Sequence, residues 1–587
     1  MTVAFSPRQR LPSRTHPTRV SSILFAAKAT ALRARRAAQN AVAGPPRLAR
    51  TETTGFPHII AESRTPLWSD ETLTERGFQL GKNQNLRVAC RALNGVMIQA
   101  GAVFSFWRHV GPPIAARGFV SGRMLKQGCM VASVGGGLCQ LSNALYDVAL
   151  ESGCEIVERH THSRIVPGSA AALGRDATVA WNYVDLRFVP GRDMRLSTHL
   201  DRDSLTVRLT ARAKTTSTRV MSGHEPAPEL STARDCSFCD ETGCYLHKQD
   251  GSSRPAPSSR HVFLVDEAWP EFRRHIGDVR KTDDCLGFPL NGARVGLSRY
   301  SWPADGFGRT ASAPVAALRR TLALRSAGLQ GTARRQAELA GTRRIALSLA
   351  RLLTQDVTSV TVAQSYLPFL WRSGHLGGRR ISVLMTRLPI AVLEARLDAV
   401  AAVHPERGTL TDFRAPPWLV EAEAEALTDA DQIITAHAGI AALFGDRAVH
   451  LPWEVPTKPP PGSASGCQRI VFPGPTVARK GAYAVRDAAI ALDLEVMAQG
   501  AELEGPDFWR GVRMVPAGEW EGVAAMVQPA LLEDQPRRLL AALAAGVPVI
   551  ATSACGIEPQ PGLVLVPPED PAALIAALAT LVRPGRS

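Results

Sequence analysis

The run Gly135, Gly136, Gly137, Leu138, Cys139, Gln140 is where residue type and spacing describe chemistry most directly. Three consecutive glycines leave a backbone free to take positive φ or to approach a ligand closely. Cys139 then opens a segment with apolar residues at Leu141, Leu145, Val148 and Ala149, one stripe of an amphipathic helix, and Gly153 stands where that helix would be capped. A cysteine in a first helical turn feels the positive end of the dipole, which favours thiolate over thiol. Such a nucleophile needs a base or cation beside it, usually histidine. His160 and His162 alternate along ERHTHS, so an extended strand would turn both to one side and let one of them reach Cys139. The opposing reading is a small buried cysteine, a tight glycine turn and two ordinary histidines.

A second set of chemistry-bearing residues is compact. Cys236 and Cys239 have Cys-x2-Cys spacing, Cys244 follows, and His247 comes soon after. Four ligands this close suit tetrahedral zinc in a structural, fully occupied site, or an iron–sulfur cluster if Cys285 replaces the histidine. Unliganded thiols in a linker are the alternative.

These residues need scaffolding, and composition says how much exists. At 587 residues, 45% hydrophobic, the chain has material for three to four globular domains. Its net charge of +15 is uneven: ten Lys or Arg and no Asp or Glu fall in residues 1–50, leaving +5 for the remainder. Basicity therefore lives in an N-terminal arm, where Val20, Ile23, Leu24, Phe25 and Leu32 alternate with Arg19, Lys28, Arg33, Arg35 and Arg36. That segment suits either anionic lipid or a helix docked on the next domain. The charges interrupt any secretory apolar core, and the longest uncharged run, 539–557, carries Gly546 and Pro548 and reads as helix, turn, strand. The expectation is a cytoplasmic protein, with peripheral inner-membrane contact and no specific nucleic-acid binding. Pro/Ser-rich stretches at 222–234, 249–260 and 457–466 mark the joints.

GGGLCQLSNALYDVAL, followed by EIVERHTHSRIVPGSAAALGRDATVAWNYVDLRF, closely resembles the VanW domain, and AGAVFSFWRHVGPP and GFVSGRMLKQG fit the same pattern. The resemblance links Cys139, as nucleophile, to L,D-transpeptidase-like acyl transfer, and the alternation of His160 and His162 offers the base. It implies a substrate pocket built from Gly135, Gly136, Gly137, Gln140, Arg175 and Asp176, with Trp181 and Asp185 as further polar candidates. A cytoplasmic location favours a precursor peptide or another small acyl donor over cross-linked peptidoglycan.

The second half alternates strand-like and helix-like patterns, beginning at HVFLVDEAW and again at RIVFPG. RKG at 479–481 and LLAALAAGVPVIATSACGIE resemble the nucleotide-sugar lobe of GT-B glycosyltransferases, and LTDADQIITAHAGIAALFGDRAVHLPWEVP resembles the end of the partner lobe. The resemblance implies a nucleotide-sugar donor held by Arg479, Lys480, Glu533 and Gly556. Cations on a loop entering a helix would hold a diphosphate whose charge builds as the glycosidic bond breaks. Many relatives carry two glutamates seven residues apart; Glu533 fits the first, but Ala541 occupies the second position, which usually holds the ribose. Asp266, Glu267 and His437 are the acceptor-side candidates.

The expected architecture is multidomain: a basic arm (1–50), an α+β VanW-like domain (51–215), a Cys/His metal module (230–250), and an α/β GT-B fold of two Rossmann-like lobes (261–456 and 467–585). The leading expectation is sugar transfer from a nucleotide-sugar to a cell-envelope or related acceptor in a bacterial cell. Acyl transfer at Cys139 with a degenerate glycosyltransferase half is the alternative, and a non-catalytic binding protein is the third reading.

Overall fold

The structure is a computed structural model that describes residues 18–51, 55–68, 73–127, 129–162, 175–213, 234–235, 259–328, 331–412, 414–455, 468–516 and 522–582. Two compact units emerge, residues 1–259 with 354–356, and residues 260–353 with 357–587.

The first unit is α+β. His58–Pro66, Ser204–Ala211, Met194–Leu200 and Met97–Ile98 lie in that order in an antiparallel sheet. The Cys139–Glu151 helix packs on it with Leu141, Leu145, Val148 and Ala149 fully buried, so the apolar stripe read from sequence is the buried face. Its last residue is followed by Ser152 as cap, and Gly153 takes positive φ one step beyond. The hairpin Ser121–Lys126 and Cys129–Val134 leads into the glycine run. The Leu73–Leu93 helix lies against this hairpin: Asn85 donates from Nδ2 to the carbonyls of Val120 and Gly136 at 3.0 and 2.8 Å.

The basic arm forms a helix over Arg19–Ala43, begun by a reciprocal Thr18–Ser21 capping box. Arg36 makes two hydrogen bonds to the Glu158 carboxylate, Arg33 donates to the Trp181 carbonyl, and Asn40 accepts from Arg187. One face is therefore tied to the domain. Val20, Ile23 and Leu24 stand out from the helix, each more than 60% exposed. No helix among the described residues is long and apolar enough to cross a membrane.

The second unit is α/β with two lobes. In chain order the first lobe's strands are Arg260–Leu264, Cys285–Phe288, Arg309–Ser312, Val357–Ala363, Arg380–Leu384, Gln432–Thr435 and Ala448–His450. All pair in parallel, and their spatial order is 3-2-1-4-5-6-7. The second lobe uses Arg469–Phe472, Glu495–Ala498, Arg513–Met514, Val523–Gln528, Val549–Ala551 and Leu563–Leu565, parallel throughout, in spatial order 3-2-1-4-5-6. Parallel pairing demands crossover connections, and helices supply them, so strands such as Val523–Gln528 are buried along their whole length. Two doubly wound lobes in tandem are the GT-B architecture.

The lobes are joined by specific contacts. Arg537, opening the second lobe's Arg537–Ala544 helix, forms two 2.6 Å bonds to the buried Glu271 carboxylate of the first. The Arg537 guanidinium also lies over the rings of Trp269 and Trp453. Trp453 donates from Nε1 to the Gly556 carbonyl at 2.9 Å.

Candidate functional site

Cys139 is the first residue of its helix and is partly exposed. The N–H groups of Gln140, Leu141 and Ser142 that follow it are bonded to the carbonyls of Gly137 and Leu138, so the glycine loop itself closes the first turn beneath the thiol. The glycines before it are dictated by crowding. A Cβ on Gly136 would lie 2.3 Å from the Gly122 carbonyl group, and one on Gly137, at φ +91°, would lie 2.4 Å from Lys82 Cγ. Gly135 turns at φ +80° against Pro113. These positions are needed first to bring the loop against its neighbours.

The structure brings His162 to Cys139, and His162 in turn to Asp176. His162 donates its backbone N–H to Asp176 Oδ2 and shares its Nδ1 with Asp176 Oδ1, both at 2.5 Å. With Nδ1 engaged, Nε2 is the ring nitrogen left for the thiol. Both partners of this link are more than nine-tenths buried. Burial opposes a charge on His162, but bonds to Asp176 and Cys139 and their negative charges outweigh it and raise its pKa to about 10. Burial likewise opposes the thiolate of Cys139. Hydrogen bonding from His162 and its positive charge, with the Val179 N–H and the Thr178 hydroxyl at 3.7 Å, holds the thiol below its ordinary range. Asp176 is held low despite burial by the two bonds from His162. The contrast within the unit is clear: burial pushes the Cys90 thiol up to about 12 and also raises that of Cys154.

A thiolate, an imidazolium and an orienting carboxylate in series form the arrangement that makes cysteine a nucleophile near neutral pH. His160 does not join it. The strand expected through ERHTHS ends at Glu158, so the two-residue alternation stops there. His160 is half exposed, with Nε2 3.4 Å from Glu158.

The other expected substrate residues are committed elsewhere. Gln140 donates to Thr65 Oγ1 and the Pro66 carbonyl, tying its helix to the first strand. Arg175 bonds Asp147 and Glu151 on the Cys139 helix. Asp176 faces His162 rather than open space. Asp185 accepts from Ser105, the Trp107 N–H and Arg187, and Trp181 packs edge-on against Trp107. Sequence reasoning missed the role of Asp176 as orienter of His162; the GRDAT phrase signalled a polar residue but not its partner.

In the second unit, Arg479 and Lys480 lie on the short turn Ala478–Lys480 ahead of the Ala482–Ala491 helix, with Gly481 at φ +84° between them. Lys480 Nζ sits 2.9 Å from Glu533 Oε2, which also accepts from Gln528 at 2.5 Å, while Oε1 takes the Gln535 N–H at 2.9 Å. Asp534, whose carboxyl is pushed up by burial, adds a second acid nearby. Lys480 and Glu533 thus satisfy each other. Gly556, at φ +63°, lies against His437, where a Cβ would come within 2.3 Å of the imidazole ring. His437 caps the Ala438–Phe444 helix by accepting from Ile440, and burial lowers its pKa. Asp266, after the first strand, is bonded by Arg320 and Ser365, while Glu267 pairs with Arg299. Cys236, Cys239, Cys244 and His247 lie outside the described residues. Among those described, no cluster of His, Cys, Asp and Glu could hold a metal ion.

Residues 81–210 match the family described as VanW like protein, and residues 498–583 match Glycosyl transferases group 1. The chain is 32% identical over 137 residues to the Vancomycin B-type resistance protein VanW of Enterococcus faecalis, covering 22% of this chain and 49% of that protein. It is 34% identical over 107 residues to the uncharacterized protein YoaR of Bacillus subtilis, covering 18% of this chain and 35% of YoaR. The chain thus spans half or less of the curated relatives it matches. Similar solved structures include the lipopolysaccharide outer core galactosyltransferase WaaB (14% identity, 55% of this chain and 90% of that one, TM-score 0.31). Another is Anabaena Alr3699/HepE with UDP and glucose (11% identity, 55% and 89%, TM-score 0.31). These likenesses are too distant to carry an argument; the strand order of the two lobes carries the fold. The chain therefore joins a VanW-like domain at residues 81–210 to a GT-B half that contains a group 1 glycosyltransferase domain at residues 498–583.

Proposed function

We propose that the first unit catalyses cysteine-dependent acyl transfer at Cys139, on a precursor peptide or other small acyl donor. The observation that carries the reading is His162 linking the Cys139 thiol to Asp176 in a largely buried series. In the reaction the Cys139 sulfur bonds to the donor's carbonyl carbon, and the bond to the leaving amine breaks as His162 delivers its proton to that nitrogen. An acceptor amine or water then attacks the thioester, gives its proton to His162 and frees the sulfur. Incubation with a panel of small peptides, followed by intact mass spectrometry, should show an acyl adduct on the wild type and none on Cys139→Ala. Absence of any adduct with every donor, despite a reactive thiol, would refute the reading.

A second reading is favoured by the group 1 match and the two parallel lobes. Here the second unit transfers a sugar from a nucleotide-sugar to a cell-envelope or related acceptor. Thermal-shift measurement against a panel of nucleotide-sugars tests it, and no stabilisation by any of them would exclude donor binding. Engagement of Lys480 by Glu533, together with Ala541, supports the alternative in which this half is a scaffold.

The same proposal places the protein in the cytoplasm, with the Arg19–Ala43 helix touching an anionic membrane. It also gives Cys236, Cys239, Cys244 and His247 one structural metal, supported by their spacing and testable by elemental analysis of protein purified without added metal.

A further inference from the structure

Among the described residues, one cation beside the Cys139 loop has no counterpart. Lys82 sits on the Leu73–Leu93 helix one turn before Asn85, the residue that bonds Gly136. Its stem runs along Gly137: a Cβ there would lie 2.4 Å from Lys82 Cγ, 3.0 Å from Cβ and 3.2 Å from Cδ. Gly137 and Cys139 are two residues apart, which limits their Cα separation to about 7 Å. The Lys82 stem thus packs on the same loop that presents the thiol.

Three other cations of this unit have acid partners: Arg123 is matched by Glu75, Arg36 by Glu158, and Arg175 by Asp147 and Glu151. Among the described residues Lys82 has neither a hydrogen-bond acceptor nor an ion-pair partner. Burial alone acts on it, lowering its pKa to about 8. A half-buried ammonium without an acid partner costs stability. A ligand carboxylate would recover that cost as a charge-assisted bond. Lysine presents a point charge on a flexible stem, suited to a carboxylate that arrives from solvent.

We propose that Lys82 is the recognition residue of the thiol site, binding a carboxylate of the acyl donor or acceptor while Cys139 engages its carbonyl. This rests on the acyl-transfer reading and adds to it the charge class of the substrate: an anionic, carboxylate-bearing molecule. Lys82 is a positioning residue here, since the reacting atoms belong to Cys139.

A pair of alkylating reagents of similar shape, one anionic and one neutral, tests the two ideas separately. Iodoacetate carries the carboxylate and iodoacetamide does not; both leave a thioether on sulfur and release iodide. Peptide mapping of the full-length protein gives the rate at Cys139 with each. Lys82→Met keeps the stem that packs on Gly137 and removes the charge, so the iodoacetate rate should fall about fivefold, on the order expected for loss of one nearby charge at intermediate dielectric. The iodoacetamide rate should stay within a factor of two. Lys82→Gln also removes the charge and should give the same fall, which keeps the test open if the methionine variant fails to fold, while Lys82→Arg should restore the wild-type ratio. Labelling by both reagents with an unchanged ratio in the variants that lack the charge overturns the role of Lys82 but leaves the thiol reading standing. Failure of both reagents to label wild-type Cys139 overturns both.

Discussion

Replacing Asp176 by Asn keeps the size of the side chain behind His162 and removes its charge. Without that carboxylate, burial is left to act on the imidazolium, whose pKa should fall from about 10 toward the ordinary histidine range. Cys139 then loses the positive neighbour that offsets its own burial. An unperturbed thiol of pKa ~8.5 is ionised to only about 0.3% near pH 6, so restoring it to that state costs up to ~300-fold in thiolate. Intrinsic nucleophilicity rises as the pKa rises, with a Brønsted slope of ~0.4–0.5, so only part of that loss is returned. The net expectation is slower iodoacetamide labelling of Cys139 near pH 6 in the variant, with the difference vanishing above about pH 9. Stability should follow with a defined sign. The folded pKa of His162 is raised, so its contribution is complete below about 6.5 and is lost as pH rises toward about 10. Asp176 is lowered, so its contribution is present above about 3.9 and lost on acidification. The gap in Tm between wild type and Asp176→Asn should therefore be widest between about pH 4 and pH 6.5 and close toward alkaline pH. A single labelling inflection near pH 8.5 in the wild type, unchanged in the variant, would refute the linked Cys139–His162–Asp176 system.

Three further outcomes follow from geometry already given. Glu533→Gln should release Lys480 and strengthen nucleotide-sugar binding by the value of one charge-assisted bond, about 1.5–3 kcal/mol, seen by calorimetry; unchanged affinity would mean Lys480 does not face the donor. Gly136→Ala should lower the Tm of the first unit strongly, a loss of several kcal/mol (about 3 or more), because its Cβ would fall 2.3 Å from the Gly122 carbonyl group, which is backbone and cannot swing aside; a melting curve within a degree of wild type would show the loop has slack. Leu24→Asp should weaken co-sedimentation with vesicles containing anionic lipid several-fold without altering the melting curve, since Leu24 is 64% exposed; equal binding by the variant would remove the membrane from the reading.

Much of this was legible in the chain, for identifiable reasons. The Cys139 helix announced itself because its apolar stripe has one period and one buried face. The two lobes did so because buried parallel strands alternate with helices, and GVPVIAT marks a helix end followed by the strand Val549–Ala551. What stayed hidden depended on three-dimensional return of the chain. His162 and Asp176 are fourteen positions apart, and no local periodicity links them. Alternation made His160 and His162 equivalent, and only the end of the strand at Glu158 separates them. Lys480 read as a free phosphate ligand because Glu533, its partner, comes fifty-three residues later. Charge pairing is a tertiary property, and a loop lysine looks the same in sequence whether or not a carboxylate waits for it.

The contact between Arg537 and Glu271 has a dynamic consequence. Sugar transfer on a two-lobed scaffold requires the cleft to gape for the donor to enter and to shut around it. Gaping here would strip a fully buried carboxylate of its guanidinium and lift that guanidinium off two adjacent tryptophan rings. Separating the pair gives up two charge-assisted bonds at once, which favours the shut arrangement. The pivot between the lobes is in effect spring-loaded toward closure, and any donor would have to wait for rare breathing. Arg537→Ala should loosen that pivot, so a slow donor-entry step would become fast while the affinity for a bound donor fell.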